Sequence, residues 1–217
     1  MDNNPILYTI GHSNQTYEAF LLMLQSQNIN AVVDVRSVPA SKYSPQFNKE
    51  PLHKSLQRAK IHYLHFGEEF GARRLDAINK DNFVDFEIAE QTPAFQNGVK
   101  RIIEGLNNGY RIAFMCSEAN PLECHRFALV SRYFDKNGID VLHIVHDKDG
   151  KVTIIPHKTL QEMMITEYVR KKKVPPIQPP DMFGENECTE EQQIKLAYRL
   201  KNKEIAYYQQ IKEDLYL

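Results

Sequence analysis

The sequence has few cysteines, no tryptophan and no long apolar run. Three cysteines among 217 residues are too few, and too odd a number, for a disulfide-stabilised secreted domain. No apolar run approaches the roughly 18 to 20 residues that a membrane-spanning helix needs. The first residues, MDNNPILYTIGHS, lack the basic and apolar regions of a signal peptide. These absences predict a cytoplasmic protein in a reducing compartment, with no membrane contact.

Neither sign of charge is in excess. The 27 Lys and Arg residues nearly equal the 28 Asp and Glu residues, which gives a formal net charge of −1. This balance excludes a uniformly basic surface that coats nucleic acid, although it permits a local basic patch. The hydrophobic fraction of 42% is instead typical of a chain that folds around its own core.

Apolar runs alternate with segments of helical spacing along the chain. The alternation predicts an α/β fold, Rossmann-like and doubly wound, with a mostly parallel sheet in an order near 3-2-1-4-5. Asp149 and Gly150 predict a hairpin turn, and therefore an antiparallel edge strand. The predicted strands are 6–10, 29–35, 61–66, 110–115, 141–145 and 152–155.

The composition divides the chain into three parts. Residues 1–170 are predicted to form the α/β domain, and the proline-rich residues 171–188 a linker or strap. Thr189 and Gln192 have the spacing of a capping box, so we expect an amphipathic C-terminal helix over 189–217. The simplest expectation is that this helix docks on its own domain; a homodimer formed through it is the alternative.

Reactive and charged side chains follow the predicted strands. The segments are GHS at 11–13, DVRS at 34–37, GEE at 67–69 and CSE at 116–118. Because ligands bind beyond the carboxyl ends of parallel strands, where the strand order reverses, we expect these segments to form one crevice. The catalytic candidates are Cys116, His12, Glu118 and Asp34. The candidates for binding substrate or an anion are Ser13, Arg36, Ser117, Cys124, His125, Arg126 and Arg73.

The segment CSEANPLECHR, residues 116–126, carries the most chemistry. A helix is predicted to begin at Glu123, where its N-terminus would favour an anion and lower the pKa of a nearby thiol. Cys116 is the candidate nucleophile, and His12 is its candidate base. The Cys-x5-Arg spacing of a phosphatase loop is absent, since Leu122 stands six positions after Cys116.

Two other interpretations of the cysteines stay open. The first is that they are buried small hydrophobic residues. The second is a metal site of Cys116, Cys124 and His125, but C-x7-C-H is not a usual zinc spacing. The sequence therefore predicts no cofactor and no metal, with this site as the alternative.

Several motifs together resemble the family called domain of unknown function 488. They are TIGHS, VVDVRSVP with the downstream SPQFN, HFGEEFGARR and FMCSEANPLECHR, within about residues 6–157. The resemblance implies a Rossmann-like α/β fold, a site made from these motifs and a loose association with DNA repair, but no reaction. The residues it points to are His12, Ser13, Asp34, Arg36, Cys116, Glu118, Cys124, His125 and Arg126.

One short segment of the tail suggests a partner. Gln178, Met182 and Phe183 are placed as in the short peptides that bind bacterial sliding clamps, where a few anchors carry the contact. The alternative is that Phe183 anchors the strap to its own domain.

Three functions follow as hypotheses. The first is an enzyme, a hydrolase or transferase, that binds an anionic, phosphate-bearing substrate such as a nucleotide or nucleic-acid component. The second is a non-catalytic module that binds nucleic acid or a repair protein. The third is a thiol or metal sensor.

Overall fold

A six-stranded sheet organises the residues that the computed structural model describes, which are 5–147, 150–179 and 188–209. The sheet order is β3-β2-β4-β1-β5-β6; the first five strands are parallel, and β6 is antiparallel to β5. The strands are β1 (Ile6–Gly11), β2 (Ala31–Asp34), β3 (His62–His65), β4 (Ile112–Cys116), β5 (Asp140–His146) and β6 (Val152–Pro156).

The predicted α/β class, the mostly parallel sheet and the antiparallel edge strand are confirmed. The observed order differs at one place, because β4 lies between β2 and β1 instead of outside β1. Every residue of β2 and β4 is buried, so burial alone does not distinguish the two orders. In both of them β1 and β4 are neighbours, and that pairing is the one that positions the site.

Helices cover both faces of the sheet. Threonine side chains cap several of them. The Thr16 and Thr92 side chains accept hydrogen bonds from the first turns of their helices, and Thr189 and Gln192 form the predicted capping box. The α-helices are α1 (Tyr17–Ser26), α2 (Lys49–Arg58), α3 (Gly67–Phe70), α4 (Phe86–Ala89), α5 (Pro93–Asn107), α6 (Arg132–Lys136), α7 (His157–Arg170) and α8 (Glu190–Ile205). Short 3-10 turns occur at Pro45–Phe47, Leu75–Ala77 and Pro121–Glu123, and a π-helical stretch, Arg126–Ser131, runs directly into α6.

The core has two layers, one on each side of the sheet. Successive strand residues face opposite sides, so Val32 packs in one layer while Val33 packs in the other. Helices α1 and α2 close the first layer, and helices α5 to α8 close the second. Because both faces are covered, the inner strands are largely apolar, as expected of a parallel sheet. Their buried polar residues include Thr9, Asp34 and His143.

Helix α8 packs on the same chain. Ala197 and Tyr198 are buried in the second layer, and the Asn202 amide accepts from the Phe86 N–H and donates to the Val84 carbonyl, both at 2.9 Å. The helix is shorter than predicted, because it ends at Ile205 and the chain then turns away to pair with residues 82–84. Residues 210–217 lie outside the described residues. The three-part division of the chain and the dimer stay predictions.

The structure describes the tail up to residue 179 and again from residue 188 to residue 209. Met182 and Phe183 lie outside the described residues, while Gln178 forms a short antiparallel bridge with Cys188. The sliding-clamp contact therefore stays a prediction. None of the described helices combines the length and the apolar character of a membrane span.

Candidate functional site

The carboxyl ends of β1, β2 and β4 meet at one edge of the sheet. Their pairing continues past the strands: the His12 N–H donates to the Cys116 carbonyl at 3.0 Å, the Ser13 N–H to the Ser117 carbonyl at 2.8 Å, and the Val35 N–H to Met115 at 3.0 Å. Ser13 has a φ of 47°, a left-handed conformation that is uncommon for serine and is often found at functional sites. The backbone thus brings together segments that lie far apart in the sequence.

Three clefts adjoin along this edge, and we call them together the trench. The first cleft has a volume of about 290 Å³, the middle cleft about 150 Å³ and the third about 500 Å³. Ser117 and Glu118 line both the first and the middle cleft, and Ser37 and Arg73 line both the middle and the third. Of the residues predicted for the site, the trench is lined by His12, Ser13, Arg36, Arg73, Cys116, Ser117, Glu118 and His125. The other three, Asp34, Cys124 and Arg126, are buried and do not line it.

Arg36 is held rigidly at the floor of the trench. Its Nε donates to Oδ1 of Asp34 at 2.9 Å and its Nη2 to Oδ2 at 2.6 Å, so the buried ion pair is bidentate. Nη2 also donates to the Phe47 carbonyl at 2.7 Å. Burial alone would lower the pKa of Arg36, but the hydrogen bond and charge of Asp34 raise it, so the guanidinium stays charged.

Both ring nitrogens of His12 are engaged. Nε2 accepts a hydrogen bond from Nη1 of Arg36 at 3.0 Å, and Nδ1 donates to the Ser13 carbonyl at 2.8 Å. The ring also stacks on Phe47, with centroids 4.4 Å apart. Burial, and to a lesser extent the Arg36 charge, lower the pKa of His12 to about 4. His12 is therefore neutral near pH 7, and the lone pair that a general base needs is occupied by Arg36.

Cys116 faces His125, whereas the sequence pointed to His12 as its partner. We call Cys116, Cys124 and His125 the cysteine–histidine group. Both sulfurs lie 3.8 Å from Nδ1 of His125, and one ligand atom from each of the three residues lies within 4.8 Å of the others. Nε2 of His125 donates to the Val35 carbonyl at 3.1 Å, which turns Nδ1 toward the sulfurs.

Cys124 precedes the helix that the sequence predicted to begin at Glu123. Asn120 instead caps the 3-10 turn Pro121–Glu123, and Cys124 is extended, with its sulfur accepting from the Arg126 N–H at 3.4 Å. Burial would raise the pKa of Cys124, but its hydrogen bond with Cys116 and the charges of Arg126 and His125 hold it well below the usual value. The lowering comes from these side chains, whereas the sequence pointed to the helix N-terminus as its cause.

The pKa values of the groups around Cys124 are raised instead of lowered. The hydrogen bond with Cys124, then burial and the charge of Cys124, raise the pKa of Cys116 well above its usual value. Burial in the cleft, and then the charge of Cys124, raise the pKa of Glu118. Burial lowers the pKa of His125, but the charge and hydrogen bond of Cys124 outweigh it and the net shift is upward. Cys124 is therefore the more acidic of the two thiols.

Arg126 supports the loop above it. The side chain is fully buried, with Nη1 donating to the Glu118 carbonyl at 2.6 Å and Nη2 to the Ala119 carbonyl at 3.1 Å. Its Nε has no hydrogen-bond partner among the described residues. Gly11 allows this packing, because a Cβ there would lie 1.9 Å from the Glu118 carbonyl oxygen. Arg126 therefore shapes the trench and contributes positive charge from below.

Sequence reasoning missed two side chains that support the site, both on β3. The Tyr63 hydroxyl donates to Oδ2 of Asp34 at 2.8 Å, and Nε2 of His65 donates to the Arg36 carbonyl at 2.9 Å. These two residues alternate with Leu64, so they share one face of the strand. Polar residues at period two next to the strand that carries Asp34 were the available signal.

The comparisons with known proteins identify a family and nothing narrower. No curated protein and no solved structure matches the chain. The family model described as "Domain of unknown function DUF488" matches residues 16–133. That span includes Asp34, Arg36 and the cysteine–histidine group and begins after His12 and Ser13. Because the match covers more than half of the 217 residues, the chain belongs to the DUF488 family.

Proposed function

We propose that this protein is an enzyme, a hydrolase or transferase, that binds an anionic, phosphate-bearing substrate of nucleotide or nucleic-acid type along the trench. The cysteine–histidine group is its reactive centre. The observation that carries the proposal is the position of this group: Cys116 and His125 line the middle cleft, beside Arg73, with an open cleft on either side. A substrate that extends into both outer clefts would place its central part against the reactive side chains.

The charges near the middle cleft suit a negatively charged ligand. Arg73 is exposed and has no carboxylate partner within the part of the chain that the structure describes. Arg126 lies below and has no carboxylate partner there either. Arg36, by contrast, is neutralised by Asp34. Arg73 is therefore the side chain in this proposal that contacts the anion first.

The groove of about 490 Å³ between β3 and α5 supports this function less well. It is lined largely by aliphatic and aromatic side chains such as Val33 and Ile102, and it contains no cysteine or serine. Its charged residues are of both signs, Arg101 and Glu104. This groove suits an apolar ligand, but it lacks the combination of cation and nucleophile that lines the trench.

Binding of a fluorescein-labelled single-stranded oligonucleotide, followed by anisotropy at low salt, tests the anion site. Arg73→Gln is expected to weaken binding about tenfold, since it removes one charge-assisted contact, and to reduce the salt slope by about one. Arg170→Gln is the matched control, because Arg170 pairs with Glu167 on the exposed face of α7. Equal affinity of Arg73→Gln and wild type would contradict the proposed anion site.

Exposed aromatic and basic residues favour a second candidate, a non-catalytic module for nucleic acid. Tyr43 is 97% exposed at the first cleft, and Lys42 precedes it in the sequence. In such an arrangement a base stacks on the aromatic ring while the cation binds the phosphate. Chromatographic analysis of nucleotides and oligonucleotides after incubation separates the two candidates. The enzyme proposal requires turnover that Cys116→Ser abolishes while binding persists; binding without turnover in the wild type supports the module.

A further inference from the structure

We propose that Cys116, Cys124 and His125 bind a zinc ion whose fourth coordination position opens into the middle cleft of the trench. The inference deepens the proposed function and rests on it for the role of the open position. The metal site itself stands on the geometry of the three side chains.

The spacing of the ligand atoms fits tetrahedral zinc. With Zn–S bonds of about 2.3 Å and Zn–N bonds of about 2.0 Å, tetrahedral angles separate sulfur from nitrogen by about 3.5 Å. Both sulfurs lie 3.8 Å from Nδ1 of His125, and the three ligand atoms lie within 4.8 Å of one another. Two thiolates and one imidazole are a donor set that zinc prefers. Only small side-chain movements would close the atoms around an ion.

The orientation of His125 is that of a metal ligand. Its Nε2–H donates to the Val35 carbonyl at 3.1 Å, which fixes the ring and leaves Nδ1 as the coordinating atom. Histidine ligands commonly donate their other ring nitrogen in this way, to a carboxylate or a backbone carbonyl. The outer partner is therefore already in place.

Charge balance also favours a divalent cation at this buried place. Zinc would displace the protons of both thiols, and the resulting Zn²⁺ with two thiolates and a neutral imidazole carries no net charge. A neutral complex suits side chains that are almost fully buried. A disulfide between the two cysteines would use both sulfurs and leave Nδ1 of His125 without a partner, so the three-residue convergence favours the metal.

The remaining coordination position faces the trench. Cys116 and His125 line the middle cleft together with Arg73 and Ser117, whereas Cys124 lies behind them. Three protein ligands and one open position are the arrangement of catalytic zinc sites, in which the fourth ligand is water or substrate. An oxygen of the anionic substrate would bind there, and Arg73 would lie beside its charge.

Metal binding is tested on the full chain, purified without chelator and without any substrate. Elemental analysis is expected to find one zinc per chain. Protein stripped of metal and titrated with Co²⁺ is expected to develop, at one equivalent, the absorption of tetrahedral cobalt with thiolate ligands. Cys116→Ser and Cys124→Ser are each expected to weaken zinc binding more than about 100-fold. This is a larger loss of affinity than the removal of a hydrogen-bond partner of a ligand usually causes. Cys188→Ser, which alters the buried cysteine outside the group, is the control that leaves it unchanged.

A second measurement uses the wild type, in case a variant fails to fold. Zinc is expected to slow alkylation of Cys116 and Cys124 by iodoacetamide at least tenfold, and chelation to restore the rate, with Cys188 unaffected. Absence of zinc and of cobalt absorption, or zinc binding that survives both variants, would overturn the inference. If zinc fails to bind but oligonucleotide binding still depends on Arg73, only this inference is wrong. If zinc binds and the oligonucleotide does not, the metal site stands and the proposed anion site is wrong.

Discussion

Four of the five N–H groups of Arg36 donate to partners inside the protein. They reach both oxygens of Asp34, the Phe47 carbonyl and Nε2 of His12. Since one Nη1–H is left for a ligand, Arg36 acts chiefly by holding β1, β2 and the loop around Phe47 in place. The planar guanidinium is needed for this, because lysine has no fork of parallel donors.

Arg36→Lys is therefore expected to destabilise the protein although it keeps the charge. The variant loses the bidentate contact and the donor to His12, and we expect the free energy of unfolding to fall by about 2–3 kcal/mol. Urea denaturation of both proteins measures the difference. Arg170→Lys, at an exposed pair, is the control and is expected to change stability by less than about 0.5 kcal/mol. Equal effects of the two substitutions would show that Arg36 is not the buried anchor described above.

The histidine that contacts Cys116 could not be predicted from the sequence. The sequence indicates that His12 and His125 both follow elements that end at one edge of the sheet, but it carries no direct signal for ring orientation. The Arg36 donor takes Nε2 of His12, and the Val35 carbonyl takes Nε2 of His125. Both partners come from the β2 end, more than twenty residues away in sequence. The roles of the two rings are decided by these long-range contacts.

At the scale of elements, a chain of buried hydrogen bonds joins α8 to the sheet. The Tyr198 hydroxyl lies 2.8 Å from Nε2 of His157, Nδ1 of His157 lies 3.1 Å from Nε2 of His143, and Nδ1 of His143 lies 2.7 Å from the Thr9 hydroxyl. Burial lowers the pKa of both histidines, that of His157 to about 3. Both rings are therefore neutral, and each ring nitrogen of His143 and His157 has a hydrogen-bond partner.

Tyr198→Phe should reveal how much this chain stabilises the docked helix. The substitution leaves Nε2 of His157 buried without a partner, which costs about 1–3 kcal/mol, while the ring contacts are kept. The free energy of unfolding from urea titration near pH 7 is expected to fall by that amount. Tyr208→Phe is the control, since that hydroxyl is exposed and donates only to the Lys203 carbonyl. If Tyr198→Phe is as stable as wild type, the hydrogen bond between Tyr198 and His157 does not stabilise the docked helix.

The start of the helix after β4 could be predicted only approximately. Proline at position 121 and the negative residue at 123 are typical of a first helical turn, yet Asn120 caps a separate 3-10 turn there. Cys124 then occupies the extended position before the helix, and its sulfur accepts the Arg126 N–H. Helix propensity takes no account of the contact between this sulfur and His125. Cys124 therefore lies outside the helix, which begins at Arg126.

At the scale of the whole molecule, the sheet determines which segments can share a site. The alternation of strands and helices was readable from the sequence because it depends on hydrophobic period, and so was the adjacency of β1 and β4. The position of β4 between β2 and β1 was not, because every residue of β2 and β4 is buried. Placing β4 there puts the end of β4, with Cys116, between the ends of β1 and β2, so the trench runs across these strand ends.

The central prediction is that an anion binds in the trench, next to the cysteine–histidine group. A crystal structure of the full chain grown with a short single-stranded oligonucleotide tests this directly. We expect density for a phosphate in the middle cleft, within hydrogen-bond distance of the Arg73 guanidinium and beside Cys116 and His125. An oligonucleotide bound elsewhere on the surface, with the trench filled only by water, would contradict this prediction.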